Sequence, residues 1–169
     1  MAMGRSHDRA TLALALPFGL LWWPWQGATV SLAAGLGFLL GGLWLSPDLD
    51  TASNASRRWG PLRPLWSPYR RLLRHRSLLS HGPVLGSAGR LLYLAVLLIG
   101  LCHLARPLGT PTAAELVRRL RELWDQHPPL LIGALVGLEA SAWLHLLQDG
   151  DPLPTGWRRW CRPRRRRRR

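Results

Sequence analysis

Apolar residues in this sequence gather into four long runs that polar segments separate. The runs cover residues 10–25, 28–45, 84–104 and 130–147. At about 1.5 Å per residue the second run reaches roughly 27 Å, close to the thickness of a bilayer core. Its many glycines would weaken a buried helix of a soluble domain, but they let membrane helices approach closely. The pattern predicts an all-α, polytopic membrane bundle of about four transmembrane helices.

The first run, residues 10–25, is the shortest of the four and fits a spanning helix least well. It falls below the roughly 20 residues of an upright span, and Pro17 and Pro24 interrupt it. Arginines ahead of it also fit a signal peptide, but Trp22, Trp23 and Trp25 follow where a cleavage site needs small residues. We interpret these tryptophans as an aromatic belt at a membrane boundary.

Residues 112–126 have a different pattern, in which apolar and charged residues alternate at helical spacing. Leu116, Leu120 and Leu123 share one face, and Arg118 and Glu122 lie on the opposite face. This predicts one amphipathic helix lying on the membrane surface.

The formal net charge of +14 is unevenly distributed, and all of the basic side chains are arginines. They cluster in the 57–76 loop and the 158–169 tail. Trp59, Trp66 and Tyr69 lie among the loop arginines, a composition that can stack on nucleic-acid bases. Because apolar runs flank the loop, we instead expect aromatics at headgroup depth and arginines on anionic lipid. The expected partners are therefore the bilayer and its anionic headgroups rather than nucleic acid. The sequence indicates no protein partner.

The arginines also predict the topology. Residues 51–83 carry arginines without acids, whereas Glu115, Glu122 and Asp125 offset those of 105–129. The positive-inside rule then places both termini and the 46–83 loop in the cytoplasm. We expect residues 1–150 to form a membrane-embedded metal-binding helical domain. Residues 151–169 are expected to be a disordered cytoplasmic tail.

Side chains that bind metals stand at the ends of the apolar runs. Those that this topology brings to the cytoplasmic face are His7, Asp48, Asp50, His75, His81, His145 and Asp149. His103 and His127 fall at the opposite face. The two cysteines are too few for a disulfide scaffold or a thiolate zinc site. Imidazoles and carboxylates therefore form the predicted ligand set.

Spacing refines that set. His145 and Asp149 are four residues apart, so they share one face of a helix. His75 and His81 can share a metal only if the chain bends between them, and Ser80 to Pro83 supplies turn chemistry. Asp48 follows a proline and is alternatively an ordinary turn residue.

Mixed imidazole and carboxylate ligands suit zinc, manganese or iron in a reactive site. Seven ligands suffice for one or two ions, two being held about 3.5–4 Å apart by bridging carboxylates. We expect Arg76 to clamp a phosphate and Ser80 to orient a ligand or substrate. Phosphoester hydrolysis, with a lipid headgroup as first candidate, is the leading hypothesis. The alternatives are a non-catalytic metal-binding or interaction membrane protein, and a soluble basic nucleic-acid protein.

Two charged residues lie inside the apolar runs. Arg90 lies near the start of the third run and is expected to extend to the same interface as the 57–76 loop. Glu139 lies deep in the fourth run, either as a protonated residue that binds neighbouring helices or as the partner of Arg90.

Four segments in this order resemble an uncharacterised metal-binding membrane protein family of prokaryotes. They are Ser6–Arg9, Ser46–Asp50, His75–Gly82 and His145–Asp149. The family is similar to the YdjM-type membrane-bound metal-dependent hydrolases. The resemblance covers residues 6 to about 150 and implies the same seven metal ligands. Ser77 stands where the YdjM group usually has glycine, and the loop before His75 is longer. These differences bear on a shared substrate more than on shared metal binding.

Overall fold

The computed structural model describes residues 4–73, 75 and 77–150, and this part of the chain is built from helices without strands. In chain order the α-helices are α1 (Gly4–Leu20), α2 (Trp23–Leu43), α3 (Asn54–Arg58), α4 (Ser67–Leu72), α5 (Leu78–His81), α6 (Leu85–Leu104), α7 (Ala113–Gln126) and α8 (Pro128–Gln148). Short 3-10 helices lie at Pro47–Asp50, Gly60–Trp66 and Arg106–Leu108. The all-α prediction is confirmed.

Three described segments are long and apolar enough to cross a membrane. They are Trp23–Asp50, Leu85–Leu104 and Pro128–Gln148. The sequence predicted about four spans, and three described segments have the length and composition of a span. The first apolar run lies mostly in α1, whose 17 residues include Pro17 and fall short of a full crossing.

Helix α2 lies at the centre and packs against α1 and α8. Two glycines allow its contact with α8. A Cβ on Gly37 would lie 2.1 Å from the Ala134 carbonyl oxygen, and one on Gly137 would lie 2.1 Å from that of Ala34. The two backbones are therefore in direct contact, as the small residues predicted. This contact fixes the end of α2 beside the end of α8.

The basic segment after residue 50 is folded, and its aromatic side chains pack inside the protein. Leu49, Trp59, Trp66, Tyr69 and Tyr93 form a cluster that we call the aromatic cap. Trp66 and Tyr69 are buried in it. Both rings pack against Leu49 and Tyr93 inside the protein, and their depth in a membrane stays a prediction. Their burial also removes them from stacking on bases.

Polar contacts tie the aromatic cap to the long helices. The Arg58 guanidinium pairs with the Asp8 carboxylate at 2.7 Å and donates to the Leu43 carbonyl oxygen at 3.1 Å. Asn54 donates to the same carboxylate at 3.3 Å. The cap is thereby held against α1 and α2. Its member Leu49 lies between the two predicted aspartate ligands.

Helices α6 and α7 are more loosely attached. The buried residues of α6, in the described part of the chain, are Gly86, Ser87 and Arg90, all near its start. Arg90 is 1 % exposed. Its guanidinium donates to a carbonyl and a hydroxyl oxygen of the protein, and its position relative to a membrane interface stays a prediction. Helix α7 joins the far ends of α6 and α8 without a buried residue of its own, as expected of a surface amphipathic helix.

Candidate metal centre

All seven predicted ligands lie at one end of the helix bundle. They form two groups, and within each group one ligand atom per residue lies within 4.8 Å of the others. The first group comprises Asp48, Asp50, His75 and His81, and the second comprises His7, His145 and Asp149. His103 and His127 stand at the opposite ends of α6 and α8, as the topology predicted.

The first group is carried by short segments. Asp48 and Asp50 lie in the 3-10 helix that follows α2, where Ser46 caps the turn by accepting from the Asp48 N–H at 3.4 Å. His81 ends α5, and its Nδ1 lies 3.4 Å from Asp50 Oδ2. His75 Nδ1 lies 2.9 Å from Asp50 Oδ1, an ordinary hydrogen-bond distance. Asp50 is thus the carboxylate around which this group is arranged.

The second group is carried by long helices. His7 comes from the second turn of α1, His145 from the last turn of α8, and Asp149 directly follows α8. The two imidazole rings stack with centroids 4.1 Å apart. Asp149 Oδ1 lies 3.3 Å from His7 Nε2, and its Oδ2 lies 3.7 Å from His145 Nε2. One carboxylate therefore faces both imidazoles.

Asp48 connects the two groups. Its Oδ1 lies 3.4 Å from His145 Nε2 in the second group and 3.7 Å from His81 Nε2 in the first. A carboxylate in this position could bridge two ions, one in each ligand group.

Three histidines share an orientation that leaves Nε2 directed at carboxylates. His7 Nδ1–H donates to the Gln148 side-chain oxygen at 2.7 Å. His81 Nδ1 lies 3.1 Å from the Ser80 hydroxyl, and His145 Nδ1 lies 3.5 Å from that of Ser46. Histidines that bind metals usually have their second nitrogen held in this way.

The separations between the three Nε2 atoms and their carboxylate oxygens match those of two atoms that bind the same ion. Each Nε2 lies 3.3 to 3.7 Å from its carboxylate oxygens. Hydrogen bonds between nitrogen and oxygen are about 2.7–3.2 Å long. Two ligand atoms about 2.1 Å from a tetrahedral ion are about 3.4 Å apart. In the described residues, Asp50 Oδ2, His81 Nε2 and His145 Nε2 are buried without a hydrogen-bond partner. The residues present therefore fit a divalent ion.

Comparison with known proteins agrees with this chemistry. Residues 2–161 match the family described as "Uncharacterized metal-binding protein (DUF2227)". The chain belongs to this family. It is also 48% identical over 61 residues to an uncharacterized protein of Aquifex aeolicus (strain VF5). That similarity covers 36% of this chain and 43% of the relative, so the chain matches less than half of the relative's length. No solved structure matches.

Within this metal-binding family member, burial and charge act in opposite directions on His81. Burial lowers the pKa of His81, but the hydrogen bonds and negative charges of Asp48 and Asp50 outweigh it. The pKa consequently lies above its ordinary value. A divalent ion would replace the proton as the positive charge between these carboxylates.

The bend that brings His75 to His81 differs in position from the prediction. The structure places it at Ser77, before α5 begins, and His81 itself is the last residue of that helix. The rings of His75 and His81 then meet edge to face with centroids 4.9 Å apart. The predicted turn after Ser80 is present as well, and it leads into α6.

Two further residues were predicted for the site, Ser80 and Arg76. Ser80 is buried with its hydroxyl 3.1 Å from His81 Nδ1, and its role in orienting a ligand or substrate stays a prediction. Arg76 lies outside the described residues, as does the arginine tail. Two side chains beside imidazoles were not predicted: Gln148, which accepts from His7, and Ser46, which lies near His145. Their position directly beside predicted ligands at helix ends was the available signal.

Proposed function

We propose that this protein is an integral membrane protein that binds two divalent metal ions at a cytoplasm-facing site and hydrolyses a phosphoester there. The observation that carries the proposal is the position of Asp48, whose carboxylate oxygen faces His81 on one side and His145 on the other. Each ion would then have its own imidazoles and share this carboxylate.

The ligand set supports two ions rather than one. His81, His75 and Asp50 would hold the first, and His7, His145 and Asp149 the second. Zinc suits three protein ligands plus water, and manganese or iron suits the same donors. Such a pair would acidify a bound water and stabilise both oxygens of an in-line displacement. The protein itself would contribute the fixed imidazole orientations that Gln148, Ser80 and Ser46 supply.

Access to the site supports a reactive role. The His75 side chain is 43% exposed, and Asp48 is partly exposed. A site closed on all sides would suit a structural metal better. The resemblance to YdjM-type hydrolases points to the same reaction class, and the membrane setting makes a lipid headgroup the first substrate to test.

The membrane location rests on three apolar helices and on the surface of α7. Most of the large apolar side chains of α7 are exposed, including Leu120 and Trp124. In a bilayer this face would enter the interface, since α7 joins the ends of two candidate spans. The arginines of 51–73, and those outside the described residues, would meet anionic headgroups in the cytoplasmic leaflet.

Elemental analysis of detergent-purified protein tests metal binding. We expect about two ions per wild-type chain, since each ligand group is sized for one ion. His81→Ala and His145→Ala should each retain about one ion, and the control His127→Ala should retain both. Unchanged metal content in the first two variants would exclude this site.

Activity and location need separate measurements. We expect hydrolysis of bis-p-nitrophenyl phosphate that chelation abolishes and metal restores. Metal-loaded protein that hydrolyses neither this ester nor phospholipid in mixed micelles would indicate a non-catalytic binder.

For membrane orientation, Cys102 and Cys161 are replaced by serine, and single cysteines at Asn54 and Gln126 are labelled in sealed vesicles. Labelling of both positions from the same side would contradict the topology.

A further inference from the structure

We propose that Arg90 and Glu139, two charged residues within the candidate membrane spans, are positioning residues that hold the His81 segment in its metal-binding conformation. The inference rests on the proposed metal site, and it assigns a role to charges that the ligand set does not use. It concerns residues 80–84, which connect α5 to α6 and carry His81.

Arg90 holds the beginning of this segment. Its guanidinium Nη1 donates to the Ser80 carbonyl oxygen at 2.8 Å, and its Nη2 donates to the Ser87 hydroxyl at 3.0 Å. Gly86 makes room for this contact, since a Cβ there would lie 2.8 Å from the same carbonyl oxygen. The Ser80 side chain in turn contacts His81 Nδ1. Arg90 therefore fixes the residue that orients the imidazole.

Glu139 holds the end of the segment. Its Oε1 on α8 accepts from the Val84 backbone N–H at 2.8 Å. Val84 has φ of 60°, a left-handed conformation that a β-branched residue rarely adopts. A side-chain oxygen that accepts from this N–H satisfies a backbone donor in the turn, so it helps to hold an unfavourable backbone conformation. The sequence left open whether Glu139 pairs with Arg90, and here each charge binds the loop instead.

The two contacts bracket His81 from both sides without touching a ligand atom. Ionisable groups within an apolar span are costly. Both of these groups bind the backbone of one short turn, which indicates that the conformation of this turn matters. Arg90 reaches the turn from α6, and Glu139 reaches it from α8, which also carries His145. Glu139 thus links the turn bearing His81 to the helix bearing a ligand of the other group.

Paired substitutions of Glu139 separate positioning from a general effect on folding. Glu139→Gln keeps an acceptor for the Val84 N–H, and Glu139→Leu removes it. We expect Glu139→Leu to weaken zinc binding by about 10–100-fold, as loss of an outer-shell partner does, with Glu139→Gln within about threefold of wild type. The visible spectrum of bound Co²⁺, which reports ligand geometry, should change in Glu139→Leu and be restored in Glu139→Gln.

Arg90→Met should have an effect of similar size, and Arg90→Lys a smaller one because lysine keeps one donor. Ser31→Ala is the matched control, since Ser31 is a buried span residue that donates to the Gly19 carbonyl oxygen at 2.8 Å away from the turn. We expect it to lower the melting temperature without changing zinc affinity or the Co²⁺ spectrum.

The results distinguish the two proposals. Wild-type protein that binds no metal would overturn the proposed function, and the positioning role with it. Wild-type protein that binds metal, with Glu139→Leu matching it in affinity and Co²⁺ spectrum, would overturn the positioning role alone. If Arg90→Met does not fold, the two Glu139 variants decide.

Discussion

The two ends of the helix bundle carry similar residues but arrange them differently. The far end has His103, His127 and the acids of α7, yet in the described part of the chain the candidate ligand groups lie at the other end. At the far end Glu115 completes a capping box with Thr112, and Glu122 pairs with Arg118. These acids are already used and face outward.

The near end differs because its connection packs into a buried core. Leu49 is buried in the aromatic cap, which fixes Asp48 and Asp50 on either side of it. The side-chain oxygens of Gln148 and Ser80 contact the imidazoles of His7 and His81. The comparison teaches that histidine and carboxylate content does not make a metal site. What makes one is a set of neighbours that leaves the ligand atoms turned toward one another.

The largest expected effect is that of Asp48→Asn, compared with Asp125→Asn at the far end. Because Asp48 faces both ligand groups, its loss should weaken both ions by at least about 100-fold, above the range for outer-shell residues. Isothermal titration of metal-free protein with Zn²⁺ measures this. Loss of one ion with the other intact would show that Asp48 does not bridge.

A second pair of variants, Gln148→Leu and Gln126→Leu, tests the neighbours. Gln148 accepts from His7 Nδ1–H and so directs Nε2 toward Asp149. We expect Gln148→Leu to weaken the second ion by about 10–100-fold, and Gln126→Leu to have no effect on either ion. Equal affinities in the two variants, measured by competition with a chromophoric chelator, would remove the role given to Gln148.

The pH dependence should have opposite signs with and without metal. The pKa of His81 is raised in the folded, metal-free protein because Asp48 and Asp50 outweigh its burial. The protonated ring therefore stabilises the fold below its unfolded-state pKa of about 6.5, and this contribution is lost as pH rises through the folded-state pKa. Metal needs the neutral ring, so metal stabilisation should grow over the same range.

Melting temperatures with a chelator and with excess Zn²⁺, measured from about pH 6 upward, check this sign. The two curves should diverge as pH rises, and His81→Gln should reduce the divergence. Parallel curves would mean that no proton is exchanged for metal at His81.

The smallest effect is expected for Thr112→Ala at the far end. Thr112 accepts from the Glu115 N–H at 3.0 Å at the start of α7. Losing such a cap costs about 1 kcal/mol. Denaturant unfolding should register this loss, and Zn²⁺ affinity should stay at the wild-type value. A change in affinity would show that the two ends of the bundle are coupled.

The sequence predicted the elements that follow from periodicity and charge. The apolar runs became α2, α6 and α8, and the amphipathic pattern became α7, within a few residues. The topology drawn from arginines brought His7 near His145 although 138 positions separate them, because helix ends on one face must meet when the helices pack.

The aromatic cap could not be predicted in this way. Its segment contains Pro61, Pro64 and Pro68, so it has no helical or strand period, and its arginines made it resemble a solvated loop. Burial of Trp66 and Tyr69 depends on Tyr93 of α6, a contact between distant segments that no local pattern encodes. The same reason hid the contacts of Arg90 and Glu139.

The attachment of α6 by its first turns has a mechanical consequence. Beyond Arg90, α6 has no buried residue in the described structure, so in a bilayer its tilt would follow the thickness of the surrounding lipid. Its fixed end donates to the Ser80 carbonyl, one residue before His81. We expect zinc affinity to differ between vesicles of short-chain and long-chain lipids. A change in membrane thickness would tilt α6 and, through Arg90, shift the His81 segment.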